Sequence, residues 1–540
     1  MPLNHPKWPA LRPSWSRVSG SMRQRTGTRA GRAGLGAWGV LVLATGCARQ
    51  TPQPNLLFVV VDTLRADCVG FLSGVDLTPQ LDAFAAGAVV FDHATTPRAK
   101  TTPAVASLMT GLYPHDHRVR DLTTPLGSDV PVFAELLRKA GYKTGAILGN
   151  FVLRDELSGL ARGFDLWVED LPDVSGTGPN AVAFRGALSI TDGALQALGI
   201  GPAAKDGAGP TRPFIGDARP WFLWLHYVDP HGSYDPPAAQ RRAPRGPQEI
   251  IPPAPRPGEG VFHRQWIAEY NVPDEARIEG GIDARVVREL YRGEVRHSDL
   301  QIGRLLRELD SAGLLENTLV VFVSDHGESL GEHDYWFEHG RYAYEATCRV
   351  PLMIKFPPAM AGSPPPGLSS GDISLADIVP TLTEILRLPS LPPPFRGRSR
   401  ITGKSRAALL LGRAPRAHPV FCEKIERTEK ARAVQSKAVR LGDWKLIRRY
   451  THRVDPTSSE RQLLVLSEEL YDLAADPREE VNLVAAIPPE APVRALQEAL
   501  AEFSAADEHL AELAQILQRK RDDLGREDPE TLRALRALGY

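Results

Sequence analysis

The stretch that decides the fold is Asn55-Leu56-Leu57-Phe58-Val59-Val60-Val61-Asp62-Thr63. Its apolar run is short, β-branched and free of alternation. That pattern reads as a strand buried on both faces, as in a parallel sheet. Asp62 closes the run, so a carboxylate is expected at the C-terminal end of a strand, where open α/β sheets place their sites. A second stretch, from Lys100-Thr101-Thr102-Pro103 to Gly111, predicts a short helix. Thr102 is expected to cap it, Pro103 suits its first turn, and Gly111 stops it. Thr101 then lies beside a helix N-terminus, where the dipole favours negative charge. An acid at a strand end and a hydroxyl at a helix start outline a metal-and-anion site. A core strand and a capped helix explain either piece alone equally well, so the other strands must decide.

Two more buried strands follow. Trp221–Val228 ends in Asp229-Pro230-His231, and Asn317–Val323 ends in Ser324-Asp325-His326-Gly327-Glu328. Strands distant in sequence thus deliver Asp or His at the same end, which packing alone does not require. Between them the pattern predicts a helix at Val132–Ala140, a strand at Lys143–Leu148, and helices near Ala181–Leu198 and over Val286–Ala312. Residues 235–260 are rich in Pro and Arg, and read as an exposed loop at the rim of the site. Pro-rich stretches at 357–366 and 388–395 mark a boundary region. Short strands at Ala438–Leu441 and Trp444–Arg448 and a helix at Val493–Phe503 then suggest a smaller α+β domain. The expected division is a leader and tether over 1–54, a catalytic domain over 55–386, an α+β subdomain over 387–505 and a helical tail over 506–540.

The 540 residues suffice for two or more domains, and 42% apolar with 24% charged residues describe a globular chain. With 65 acidic against 64 basic residues there is no global field to attract nucleic acid. Residues 1–32 are Arg-rich and free of acids. Ala33–Gly46 is apolar but too short to span a bilayer comfortably. It ends Leu43-Ala44-Thr45-Gly46-Cys47, small residues followed by cysteine, as in a bacterial lipobox. Export, cleavage before Cys47 and lipidation there are expected, giving a protein of the bacterial envelope held at a membrane surface or secreted. A plain cleaved signal is the alternative, and Met22 offers a second start. Beyond Cys47 the cysteines are Cys68, Cys348 and Cys422, so at most one intrachain disulfide forms, with the pairing left open.

Asp62, Asp325 and His326, with Thr101 as a fourth, are the candidate metal ligands. Two carboxylates and an imidazole suit Mn²⁺ or Zn²⁺. A cation lowers the proton affinity of a bound hydroxyl, which makes Thr101 the candidate nucleophile. His231 and His339 are candidates to contact the substrate oxyanion or to protonate the leaving group. Asn150, on a loop after a strand, is a candidate donor to that oxyanion. His226, His333 and Asp229 are weaker candidates, for an outer shell or a second metal.

The order of these motifs resembles the sulfatase family within the alkaline phosphatase superfamily. The resemblance runs through Asn55–Arg65, Thr101–Pro114, Phe222–Pro237, Glu294–Leu306 and Asn317–His333. It continues in Arg349-Val350-Pro351-Leu352, Asp377-Ile378-Val379-Pro380-Thr381 and Glu469-Leu470-Tyr471-Asp472-Leu473. It implies a large α/β domain, a mostly parallel sheet sandwiched by helices, and a smaller C-terminal domain with an antiparallel sheet. It also implies a divalent cation (Mn²⁺, Zn²⁺ or Ca²⁺) on Asp62, Asp325 and His326, and a small ester or an envelope glycan or lipid as substrate. Thr101 falls on the nucleophile position, His231 on an active-site histidine, and His339 on a position usually held by a substrate-binding lysine. The departures are specific. Thr101 replaces the Cys or Ser that becomes formylglycine, Val105 the usual Arg, and Thr63 the usual second acid, while Asn150 and Val152 replace a Lys and a His. Threonine cannot become formylglycine, so the resemblance points to the phosphoester branches, with a phosphothreonine intermediate. A transferase of phosphorylated alcohols and a non-catalytic binding lipoprotein are the competing expectations.

Overall fold

An eight-stranded sheet organises the molecule. The computed structural model describes residues 53–175, 182–200, 214–252, 266–267, 271–360, 362–389, 402–411, 413, 418–427, 433–454 and 461–505. The leader with Cys47 and the tail from 506 lie outside the described residues. The strands are β1 (Asn55–Val61), β2 (Val89–Thr95), β3 (Lys143–Leu148), β4 (Leu166–Val168), β5 (Trp221–Tyr227), β6 (Thr318–Ser324), β7 (Arg349–Lys355) and β8 (Gly367–Ser374). Their order is β8-β2-β7-β6-β1-β5-β3-β4. Only β7 runs against its neighbours, so the sheet is mostly parallel, as expected.

β1 is central, and its apolar run is divided between two cores. Leu56, Phe58 and Val60 face one layer of helices, α1 (Thr101–Thr110), α2 (Phe133–Lys139) and α5 (Ile378–Ile385). Leu57, Val59 and Val61 face the other, α3 (Ala187–Ala197) and α4 (Ala284–Ser311). A strand with an apolar core on each side has no need of polar alternation. Phe58 packs edge-on to Phe222 at 5.3 Å and tilted against Phe133 at 6.1 Å. Truncating such a ring to Ala costs about 3–5 kcal/mol. The register sets Val61 opposite both Ser324 and Tyr227, so β1, β5 and β6 end level with one another.

Three expectations change in detail. α1 begins at Thr101, with extended Lys100 at the cap position and no side-chain cap. Thr102 does not cap it, because its hydroxyl lies inside the first turn and donates to the Leu122 and Val152 carbonyls, both at 3.3 Å. Gly111 does end the helix, in the left-handed conformation at φ +73°. The helix expected from Ala181 starts at Ala187, where the Asp229 carboxylate accepts the Ala187 N–H at 2.8 Å. Val182–Phe184, just before it, is instead a strand paired with Asp173–Ser175. Within 235–252 the mostly exposed chain forms one short strand, Ile250–Ile251, against Gly281–Asp283.

The C-terminal sheet is antiparallel: β9 (Val420–Arg427), β10 (Ala433–Leu441), β11 (Trp444–Val454) and β12 (Arg461–Asp472). Helix α6 (Val493–Ala505) closes one face with Leu496, Leu500 and Phe503. Tyr113 and Ala376 of the α/β body belong to the same core, so the two parts share packing. No described helix is long and apolar enough to cross a membrane.

Candidate active site

Asp62, His226 and Asp325 meet because β1, β5 and β6 are adjacent and end level. Thr63, at φ +52°, turns the chain sharply after Asp62. The Thr63 and His326 N–H groups both donate to Asp325 Oδ1, at 3.3 and 2.7 Å. Asn150 Nδ2 donates to Asp62 Oδ2 at 2.7 Å. Each carboxylate is therefore anchored by one oxygen and presents the other. The imidazole of His326 is oriented the same way. Its Nδ1 faces the Gly327 carbonyl at 3.0 Å, which can only accept, so Nδ1 carries the proton and Nε2 presents a lone pair. Nε2 lies 3.6 Å from Asp62 Oδ1, 3.5 Å from Asp325 Oδ2 and 3.3 Å from Thr101 Oγ1. Strand ends and a helix start thus bring Asp62, Thr101, Asp325 and His326 together.

The presented carboxylate oxygens lack hydrogen-bond partners among the described residues. Asp62 Oδ1, Asp325 Oδ2, Thr63 Oγ1 and both ring nitrogens of His226 are buried with no hydrogen bond. Asp62, His226 and Asp325 each offer an atom within 4.8 Å of the other two. Burial raises the pKa of both aspartates, and the charge of Asp62 raises that of Asp325 further. Two buried carboxylates so close repel, and unsatisfied polar atoms are costly. A divalent cation on this oxygen and nitrogen set would relieve both penalties, so the residues fit the cation that the resemblance implies.

His339 and His231 stand beside this cluster. The His339 ring lies 4.4 Å from that of His326 and 5.3 Å from that of His231. His339 Nδ1 is 3.2 Å from Glu328 Oε1, while Tyr234 donates to Glu328 Oε2 at 3.1 Å. His231 Nδ1 donates to the Gly232 carbonyl at 2.7 Å, and the residue is half-buried. Lys100 is half-buried next to Thr101, and its charge bears on both His326 and His339.

Asn150, expected on a substrate oxyanion, is bonded instead to Asp62. His226 ranked low in the sequence, yet it joins the carboxylate cluster; its signal was a polar residue inside an otherwise apolar strand. Lys100 was missed as a site residue, although it is the cation preceding the candidate nucleophile. Val105 and Val152, where the resemblance implies Arg and His, lie in the apolar core. His333 is apart, stacked on Tyr344 at 3.6 Å, and Asp229 holds the start of α3.

The Sulfatase family profile matches residues 54–388. A choline-sulfatase of Rhizobium meliloti is 28% identical over 475 residues, covering 80% of this chain and 83% of its own. The multifunctional alkaline phosphatase superfamily protein PehA of Trinickia caryophylli is 27% identical over 403 residues, 62% of this chain and 74% of its own. The crystal structure of a phosphonate monoester hydrolase of Agrobacterium radiobacter superposes with a TM-score of 0.56 at 21% identity, covering 86% of this chain and 96% of that one. That likeness concerns the fold. The profile spans most of the chain and ends beyond α5, and the cluster at the strand ends lies wholly within it. The chain belongs to the sulfatase family of hydrolases, within the alkaline phosphatase superfamily.

Proposed function

We propose that this chain is a cation-dependent hydrolase of singly charged phosphate, phosphonate or sulfate esters, with Thr101 as the nucleophile. The observation that carries the reading is Thr101 Oγ1, at the first position of α1 and 3.3 Å from His326 Nε2, against the Asp62–Asp325 pair. A cation bound there would neutralise the carboxylates, lower the proton affinity of the hydroxyl and draw in the ester anion. Thr101 Oγ attacks the phosphorus or sulfur in line with the leaving alcohol. The hydroxyl proton leaves to solvent, the bond to Oγ forms as the ester bond breaks, and water later cleaves the Thr101 adduct to the free acid and the restored hydroxyl. Of the two histidines beside the cluster, His339, whose pKa burial lowers, would contact the ester oxyanion, and the half-buried His231 would give the departing alkoxide its proton.

The charge balance favours a monoanion. Two aspartates offset a divalent cation, the site's histidines sit beside it, and Lys100 is the nearby fixed positive charge. A dianionic phosphate monoester finds less compensation than a diester, a phosphonate monoester or a sulfate ester. The names of the relatives, a choline-sulfatase and a multifunctional superfamily member, support an ester substrate without choosing between sulfur and phosphorus. The leader ending at Cys47 would put this activity in the cell envelope, which labelling with a radioactive fatty acid tests.

The direct test is mass spectrometry of the protein quenched during turnover of an aryl phosphodiester. A phosphoryl group on the peptide carrying Thr101 is expected, and Thr101→Ala should lose about 10⁴–10⁶-fold in kcat while binding metal normally. Full activity in that variant on both phosphate and sulfate aryl esters overturns the assignment.

A further inference from the structure

We propose that Cys348 and Cys422 close into a disulfide when the chain matures in an oxidising compartment, and that this bond clamps the loop presenting Thr101. The two sulfurs lie 2.8 Å apart, although 74 positions separate them in sequence. Cys348 ends the helical turn Glu345–Cys348 of the α/β body, and Cys422 lies in β9 of the C-terminal sheet. Both are buried, Cys348 completely and Cys422 at 2% exposure. Cys68, the other described cysteine, is buried beside Arg65 and Asp67.

The pair brackets the segment that leads into α1. The Thr96 N–H donates to the carbonyl of Cys348 at 2.9 Å. On the other side, the N–H of Glu423, next to Cys422, donates to the Pro97 carbonyl at 2.9 Å. Arg98, buried, returns a hydrogen bond from Nη1 to the Glu423 carbonyl at 3.1 Å. Residues 96–98 are thus held between one strand that carries Cys422 and one turn that ends at Cys348. A covalent bond between those two supports fixes the distance across which the loop is strung, and Thr101 begins three residues later.

The chemistry is thiol–disulfide exchange with a dithiol oxidoreductase or oxidised glutathione. One cysteine, as thiolate, attacks the donor disulfide and forms a mixed disulfide. The second displaces the donor sulfur, so one S–S bond forms as one is reduced. The two electrons and the two thiol protons pass to the donor, which leaves as two thiols. The bond also restrains the unfolded chain across a long loop. The cross-link is independent of the ester chemistry proposed above, whereas its effect on Thr101 rests on that reading.

The test starts from the full chain produced once in an oxidising and once in a reducing compartment. Each sample is alkylated in denaturant, digested and mapped by mass spectrometry without reductant. The expected result is a peptide with Cys348 joined to one with Cys422 in the oxidised sample, and alkylated Cys68 in both. Alkylation of Cys348 and Cys422 after oxidising maturation, or pairing of either with Cys68, overturns the cross-link. The clamp is read by hydrogen exchange. Amides of residues 96–100 should exchange at least several-fold faster in C348A/C422A than in the oxidised protein, with β10 and β11 unchanged. Equal exchange overturns the clamp, and the reduced wild-type chain supplies the same comparison should the double variant fail to fold.

Discussion

Asn150 separates two accounts of the site. Its Nδ2 is committed to Asp62 Oδ2 and its Oδ1 accepts the Val152 N–H, so both ends of the amide are used within the protein. A residue that holds a metal ligand in place acts on the metal. Asn150→Ala is expected to weaken cation affinity about 10–100-fold, as measured by competition with a chelating dye. Undiminished affinity with a raised KM would return Asn150 to the substrate, where the sequence placed it. His226 makes the complementary case. Both its nitrogens are buried without hydrogen-bond partners, Nε2 standing 4.0 Å from Asp325 Oδ2, so without a cation their burial carries a desolvation cost. His226→Phe should therefore leave the melting temperature of the cation-free protein equal or higher, while the stabilisation on adding cation shrinks. A loss of stability in the cation-free variant would show that His226 has a structural role instead.

At the scale of elements, the junction between the two sheets is built from buried charge. Lys445 of β11 reaches Glu345 and Glu479, each at 2.8 Å, and Arg440 of β10 reaches Glu345 at 2.6 Å. Glu345 starts the same turn that ends at Cys348. Burial alone would raise its pKa, but Lys445 and Arg440 outweigh that and hold it below the usual glutamate range. A depressed acid stabilises the fold above its unfolded value of 4.5, and that contribution is lost as pH falls through the lower folded value. Lys445→Met leaves buried Glu479 without its cation and Glu345 with Arg440 alone, and should cost about 3–5 kcal/mol, read as a lower urea midpoint at unchanged slope. The variant's acid unfolding should begin at a higher pH than the wild type's. Identical acid titration curves for the two proteins would show that the network adds nothing to stability.

For the whole molecule, the proposed nucleophile Thr101 belongs to one part and its support to another. The described residues, from 53 to 505, fall in one compact unit, and β9 hydrogen-bonds directly to the loop before Thr101. A chain starting at residue 52 should fold and bind cation like the full protein. A chain ending at residue 411 keeps every described candidate ligand but loses β9, Arg440 and Lys445. It is expected to bind cation at least about 10-fold more weakly, as outer supports do when removed, and to lose turnover altogether. Full activity in the shorter chain would dissociate the C-terminal sheet from catalysis.

The sequence by itself determined the strands that carry the site, β1, β5 and β6, and which end of each bears the polar residues. Apolar runs without alternation, such as Leu56–Val61, can be satisfied only inside a two-sided sheet, and Asp62, Asp325 and His326 follow from being the first residues past their ends. It also determined the helix behind Thr101, because Gly111 is one of the few residues that adopt its φ without strain. The tertiary structure decided what no local pattern encodes. Strand order put His226 beside Asp62 and Asp325, turned Asn150 onto a carboxylate, and set Cys348 against Cys422 out of the pairings left open. Those contacts join residues far apart in the chain, and their free energy comes from burial and electrostatics that exist only once β1, β5 and β6 lie side by side.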